Sequence, residues 1–196
     1  MNFLAHIYLS QGINPLMLGN FMADSVKGKK YLDYPKDISN GMVLHRFIDD
    51  FTDKHELVKS SQVLLKPNFG RYSPLVSDIV FDHFLARNFT EITGLNLAAF
   101  VQEVYQYMQD NRLLMTPFSQ EILPYMIKNN WLENYQHQEE LHKIFKQFGR
   151  RIGVGELFDA VTEVVWNQYE EFEANFRLFF PELQKAVSIK MMQFES

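Results

Sequence analysis

Residues 43–53 read VLHRFIDDFTD. One histidine, one arginine and three aspartates stand there among valine, leucine, isoleucine and two phenylalanines. At about 100° per residue, His45, Asp49 and Asp53 fall on one stripe, each a turn from the next. Leu44, Phe47, Ile48 and Phe51 fall on the other side, so the stretch is an amphipathic helix. Its polar stripe has two readings. It is a solvated face with a weak surface pair, or a His–Asp pair at i, i+4 that chelates an ion.

Helical patterning continues along nearly the whole chain, and strand pairs joined by Asn-Gly or Asp-Gly turns are missing. Asn14-Pro15 reads as an N-cap followed by proline at the first helical position. The expected helices cover about 15–24, 37–54, 56–65, 74–88, 96–111, 117–129, 133–148, 155–178 and 181–193. Residues 26–37 and 66–74 are expected as loops. No repeat and no Gly/Ser-rich linker interrupts the pattern. The expectation is one all-α domain over residues 1–196, a helical bundle held by packing of apolar stripes.

Composition narrows the function. The 196 residues suffice for one substantial core. Apolar residues make up 46% and charged residues 22%, the balance of a globular protein. Phenylalanine occurs 18 times, which implies an aromatic core, or else an apolar groove. A net charge of −5 argues against broad nucleic-acid binding. With no cysteine, disulfides, thiolate zinc sites and Cys nucleophiles are excluded. A metal site must then use His, Asp or Glu, which favours Mg²⁺ or Mn²⁺, or zinc held without sulfur. The first twenty residues are apolar but lack a basic n-region and are broken by His6 and Asn14-Pro15. They fit neither a signal peptide nor a membrane span, so a cytoplasmic protein with no membrane partner is expected.

Other polar residues fit their surroundings badly. In SDIVFDHFLARNF, Asp78 and Asp82 lie one turn apart and His83 follows Asp82. Asp82 projects between Ile79, Leu85, Ala86 and Phe89. A carboxylate there is costly unless it is paired or metal-bound, so it is either a buried salt bridge to Arg46 or Arg87, or a ligand. His6, in NFLAH, is the one strongly polar residue between Phe3 and Leu9: a core histidine bonded to a carbonyl, or a ligand. Asp24, in GNFMAD, falls near a helix C-terminus, where the macrodipole disfavours an anion. Either Lys27, Lys29 and Lys30 compensate it, or a bound cation does. Three or four helices meeting around one divalent ion would account for all four segments. Such a centre suits water activation for phosphate chemistry, and Arg46 is placed to clamp a phosphoryl oxygen. No Gly-rich phosphate loop and no HExxH motif is present.

NFLAH, GNFMAD, the HRFID…TD block and DHFLAR, in this order, resemble the acyl carrier protein phosphodiesterase family. The resemblance extends to the aromatic-rich WNQYEEFEANFRLFFPEL. It implies a helical fold related to the HD-type metal-dependent phosphohydrolases. It also implies hydrolysis of holo-acyl carrier protein to 4′-phosphopantetheine and apo-protein, with Mn²⁺ or Mg²⁺. The adjacent pair here is Asp82-His83, the reverse of His-Asp, so HD ligands do not transfer by position. On this reading the ion is held by some subset of His6, Asp24, His45, Asp49, Asp82 and His83. Asp78 or Asp53 orients a ligand histidine or takes a proton, Asp24 is essential to turnover, and Arg46 neutralises phosphoryl charge.

The acidic carrier protein requires a basic docking surface. Lys27, Lys29 and Lys30 beside Asp24 supply one candidate, and Lys143, Lys146, Arg150 and Arg151 a second. Two other readings remain open: a helical metal-dependent phosphohydrolase acting on a nucleotide or other small phosphodiester, and a non-enzymatic helical binding protein with salt-bridged core polar residues. Oligomeric state is not legible.

Overall fold

The computed structural model of the chain describes residues 1–151 and 153–195; the side chain of Arg151, from the second basic cluster, lies outside the described residues. Regular structure among the described residues is helical, with no strand. The all-α expectation is met.

Helix α1 spans Phe3–Leu9, α2 spans Pro15–Met22 and α3 spans Lys36–Lys54. The start of α2 is set locally. Extended Asn14 accepts the Met17 amide at 3.1 Å, and Pro15 follows where its missing N–H leaves nothing unpaired. A 3-10 turn at Ala23–Ser25 ends α2 and carries Asp24. Helix α3 buries Met42, Leu44, Ile48 and Thr52, and with them His45.

Helices α2 and α3 cross almost backbone to backbone. A Cβ on Gly19 would overlap the carbonyl oxygen of Ile38, and one on Gly41 would overlap that of Leu16. Only glycine allows this approach. The crossing draws the Asn20 backbone against α3 at the level of His45.

The following helices are α4 (Glu56–Phe69), α5 (Ser73–Arg87), α6 (Phe89–Thr93), α7 (Leu97–Asp110) and α8 (Pro117–Lys128). After them come α9 (Trp131–Asn134), α10 (Gln138–Arg151), α11 (Val161–Trp166) and α12 (Tyr169–Glu195). Several boundaries differ from the sequence expectation, and the short helix α6 stands between two expected ones. Residues 66–69 continue α4 through Pro67, because Leu65 and Phe69 sit in the core, and a 3-10 turn leads directly into α5. The helix expected over 133–148 divides into α9 and α10. The region expected as helices 155–178 and 181–193 instead holds a 3-10 turn, α11 and an unbroken α12. Helix α12 runs through Pro181 because Phe172, Phe176, Phe179 and Phe180 before it and Leu183 and Val187 after it form one buried stripe. Burial of that stripe outweighs one lost backbone hydrogen bond.

The core is one continuous apolar cluster reaching from α1 to α12. The phenylalanine excess is mainly core: Phe81 packs on Phe176 and Phe179, and Phe84 stacks on Phe176. At the far end, the Tyr105 hydroxyl donates to the Met126 carbonyl at 3.2 Å and accepts the Leu132 amide at 3.1 Å, joining α7, α8 and α9.

A methyl group at Gly41 must separate α2 from α3. Gly41→Ala is expected to cost about 1–3 kcal/mol, the range for overpacked sites, seen as a Tm lower by several degrees. An unchanged Tm would mean the crossing tolerates a side chain.

Candidate metal centre

Helix α1 supplies His6, α2 supplies Asn20, the turn after it supplies Asp24, and α3 supplies His45 and Asp49. One ligand atom each from His6, His45 and Asp49 lies within 4.8 Å of the others. His6 Nε2 is 3.2 Å from Asp49 Oδ1. His45 Nε2 is 3.1 Å from Asp49 Oδ2 and 3.0 Å from Asp24 Oδ1. The two imidazoles stack with centroids 4.0 Å apart. Both histidines are buried and Asp49 is partly so, while the Asp24 side chain is 77% exposed. The cluster therefore opens to solvent on the Asp24 side.

Asn20, fully buried, orients both rings. Its Nδ2 donates to the His6 carbonyl at 2.7 Å and to Ser10 Oγ at 2.9 Å. That fixes Oδ1 as the atom facing the rings. Asn20 Oδ1 lies 2.9 Å from His6 Nδ1, and the Asn20 carbonyl oxygen lies 2.8 Å from His45 Nδ1. Neither oxygen can donate, so each Nδ1 must carry the hydrogen. Each Nε2 then faces carboxylate oxygens, and in a neutral ring it offers them only a lone pair.

The charges show the same conflict. Burial resists charging His45, but the carboxylates of Asp24 and Asp49 outweigh it and raise the pKa to about 9. Burial, followed by repulsion from His45, lowers His6 to about 4. Burial opposes ionisation of Asp49, yet the imidazoles beside it, His45 first, hold its carboxyl well below the usual carboxylate range. Asp24 is lowered by its hydrogen bond to His45. One proton thus serves two rings, and neutral His6 turns a lone pair toward an anion at 3.2 Å. A second proton would stack two imidazolium ions. A cation among the Nε2 atoms and carboxylates removes both difficulties. The donor set suits it: two imidazoles and the Asp49 carboxylate, with Asp24 beside His45, and each Nδ1–H bonded to an oxygen as ligand histidines require. Separations of 3.0–3.2 Å match neighbouring ligands on one small divalent ion.

The other sequence candidates are engaged elsewhere. Asp82, fully buried in α5, accepts the amides of Leu4 at 2.7 Å, Asn2 at 3.1 Å and Ala5 at 3.4 Å. It caps α1 from another helix, neither pairing with an arginine nor joining the cluster. Burial pushes its carboxyl up to about 7, against these donors. His83 donates or accepts toward the Tyr135 carbonyl at 2.7 Å and the Tyr169 hydroxyl at 2.8 Å; the carbonyl can only accept, so Nδ1 carries the hydrogen. Burial lowers His83 to about 4, and it ties α5 to α12 away from Asp49. Asp78 pairs with the Met1 ammonium at 2.9 Å. Asp53 is exposed. Arg46 donates to the carbonyls of Val26 at 3.1 Å and Gly28 at 2.8 Å and lies over the Tyr31 ring, so it braces the 26–31 loop. Lys27, Lys29 and Lys30 on that loop are exposed, and among the described residues none forms an ion pair with Asp24. Asp24 finds its partner in His45.

Sequence reasoning gave Asn20 no role. The available signal was the one that singled out His6: an amide among Leu18, Gly19, Phe21 and Met22 must satisfy its hydrogen bonds inside the core.

In metal-free protein, NMR titration of the imidazoles is expected to place His45 and His6 on opposite sides of pH 6.5, near 9 and 4. Coincident titration near 6.5 would contradict the shared-proton geometry.

The family model described as acyl carrier protein phosphodiesterase matches residues 1–183. A protein named acyl carrier protein phosphodiesterase from Klebsiella pneumoniae (strain 342) is 29% identical, over 98% of this chain and 100% of its own length. One of the same name from Photorhabdus laumondii is also 29% identical, over 97% of this chain and 96% of its own. Another from Yersinia pestis is 28% identical, over 98% and 100%. No solved structure matches the chain. The matched region contains every residue of the cluster, and the chain belongs to the acyl carrier protein phosphodiesterase family.

Proposed function

We propose that this chain hydrolyses the phosphodiester joining 4′-phosphopantetheine to the serine of a holo-acyl carrier protein. A divalent ion would be held by His6, His45, Asp49 and Asp24. The observation that carries the reading is the pair of Nε2 atoms fixed by Asn20 against two carboxylates. The family and the names of the relatives support the substrate. Two nitrogen donors favour Mn²⁺ over Mg²⁺, which prefers oxygen.

When bound, the ion supplies Lewis acidity, drawing charge from a phosphoryl oxygen and acidifying water. The chain's residues do the rest. Asn20 holds the rings so that both Nε2 atoms turn toward carboxylates, His6 toward Asp49 and His45 toward Asp24 and Asp49. Asp82 anchors the start of α1 and so positions His6. Asp24, exposed at the rim, is the group placed to meet substrate or accept a proton as water attacks phosphorus. The leaving group is the serine oxygen of the carrier protein. Arg46 acts through the 26–31 loop, presenting Lys27, Lys29 and Lys30 beside Asp24 to an acidic partner.

Mass spectrometry tests the reaction. Holo-acyl carrier protein incubated with this protein and Mn²⁺ is expected to lose the mass of one phosphopantetheine. EDTA or Asp49→Asn, with the helical circular dichroism intact, should abolish the loss. An unchanged mass with folded, metal-loaded protein would overturn the proposal in favour of a small-phosphodiester substrate.

Charge reversal tests the docking surface. Lys29→Glu with Lys30→Glu is expected to raise KM for the carrier protein several-fold, more at low salt, with kcat little changed. An equal KM at every salt concentration would remove this patch from the account.

A further inference from the structure

A cavity of about 500 Å³ opens directly beside Asp24. That volume is within the usual range for small-ligand sites, about 300–1,000 Å³. Its walls come from the start of α1, the end of α2 and the first turns of α8. Phe3, Phe21, Met22, Phe118 and Ile122 make it largely apolar. Five polar side chains interrupt this lining: Asn2, Asp24, Ser25, Asp78 and Ser119, with Asp78 paired to the Met1 ammonium. Ser25 and Ser119 belong to a row of hydroxyls running through Thr116, with Ser25 Oγ 2.7 Å and Ser119 Oγ 3.0 Å from Thr116 Oγ1. Asn2 also lines the cavity, and its Oδ1 caps α1 by accepting the Phe3 amide at 2.9 Å.

Resting on the function proposed above, we infer that this cavity receives the pantetheine arm of the substrate. Two sides of the phosphodiester must be accommodated. One is a folded acidic protein, which needs an open charged surface. The other is a narrow chain of alternating apolar and amide units, ending in a thiol. The cavity is too small for the first and chemically matched to the second. Its apolar walls suit the methyl and methylene groups, and its few polar atoms suit the amides and hydroxyl. Asp24 belongs to both the metal cluster and the cavity rim, so an arm lying in the cavity has its phosphate end at the cluster. The exposed lysines at 27, 29 and 30 follow Asp24 on the loop and leave the carrier protein on the outer side.

Calorimetry on the Mn²⁺-loaded protein separates arm from phosphate, using 4′-phosphopantetheine and inorganic phosphate as probes. Wild-type protein is expected to bind 4′-phosphopantetheine at least ten-fold more tightly than phosphate. Ile122→Trp, which fills the cavity, should erase most of that difference. Circular dichroism and Mn²⁺ stoichiometry confirm that each variant is folded. Phe118→Ala, at the cavity rim, gives a second reading of the wall should Ile122→Trp misfold, again with several-fold weaker binding expected. Equal wild-type affinity for the two probes would overturn the inference while leaving the metal centre standing. So would folded variants that retain the full preference. Binding of neither probe by Mn²⁺-loaded protein would overturn the proposed function, and the inference with it.

Discussion

The close crossing of α2 and α3 at Gly19 and Gly41 is the constraint on which the rest depends. With any larger residue at either position the two backbones separate. At the present distance the Asn20 carbonyl oxygen reaches His45 Nδ1, and the Asn20 side chain reaches His6 on α1. One asparagine thereby fixes two imidazoles from two other helices. The site is built by backbone proximity more than by any feature of the ligand residues themselves.

The second support is a carboxylate used as a cap. Asp82 sits in the apolar interior and meets the unpaired amides at the start of α1. A helix N-terminus carries partial positive charge and orphan donors, so a buried anion is satisfied there without an arginine or a metal. The same contact fixes the position of α1 and hence of His6. Beside it, Asp78 neutralises the Met1 ammonium. Helix α5 thus holds α1 in place, while α2 and α3 supply the facing groups.

Much of the fold was legible in the sequence. Asn14-Pro15 marked the start of α2, and the 3.6-residue stripe around His45 marked α3. Local signals failed where long-range burial overrode them, as at Pro67 and Pro181, which both lie inside helices. For the site, His45 and Asp49 were readable because one helix places them a turn apart. His6 and Asp24 were readable as polar residues in unsuitable places. Asp82 and His83 sent the same signal for a different reason: their partners are main-chain amides and a carbonyl from distant segments, which sequence does not display. Arg46 next to His45 suggested a phosphate clamp, but adjacent residues on a helix diverge by about 100°. Its guanidinium turns to the 26–31 loop instead. Asn20 was passed over because an amide carries no charge to draw attention.

The central claim is a single divalent-ion centre oriented by Asn20. Anomalous diffraction from crystals grown with Mn²⁺ tests it most directly. The account predicts one strong manganese peak bonded to Nε2 of both His6 and His45 and to Asp49, with Asp24 at its open side. A fully occupied ion held by Asp82 or His83, or a cluster left without manganese while the ion binds elsewhere, would contradict it.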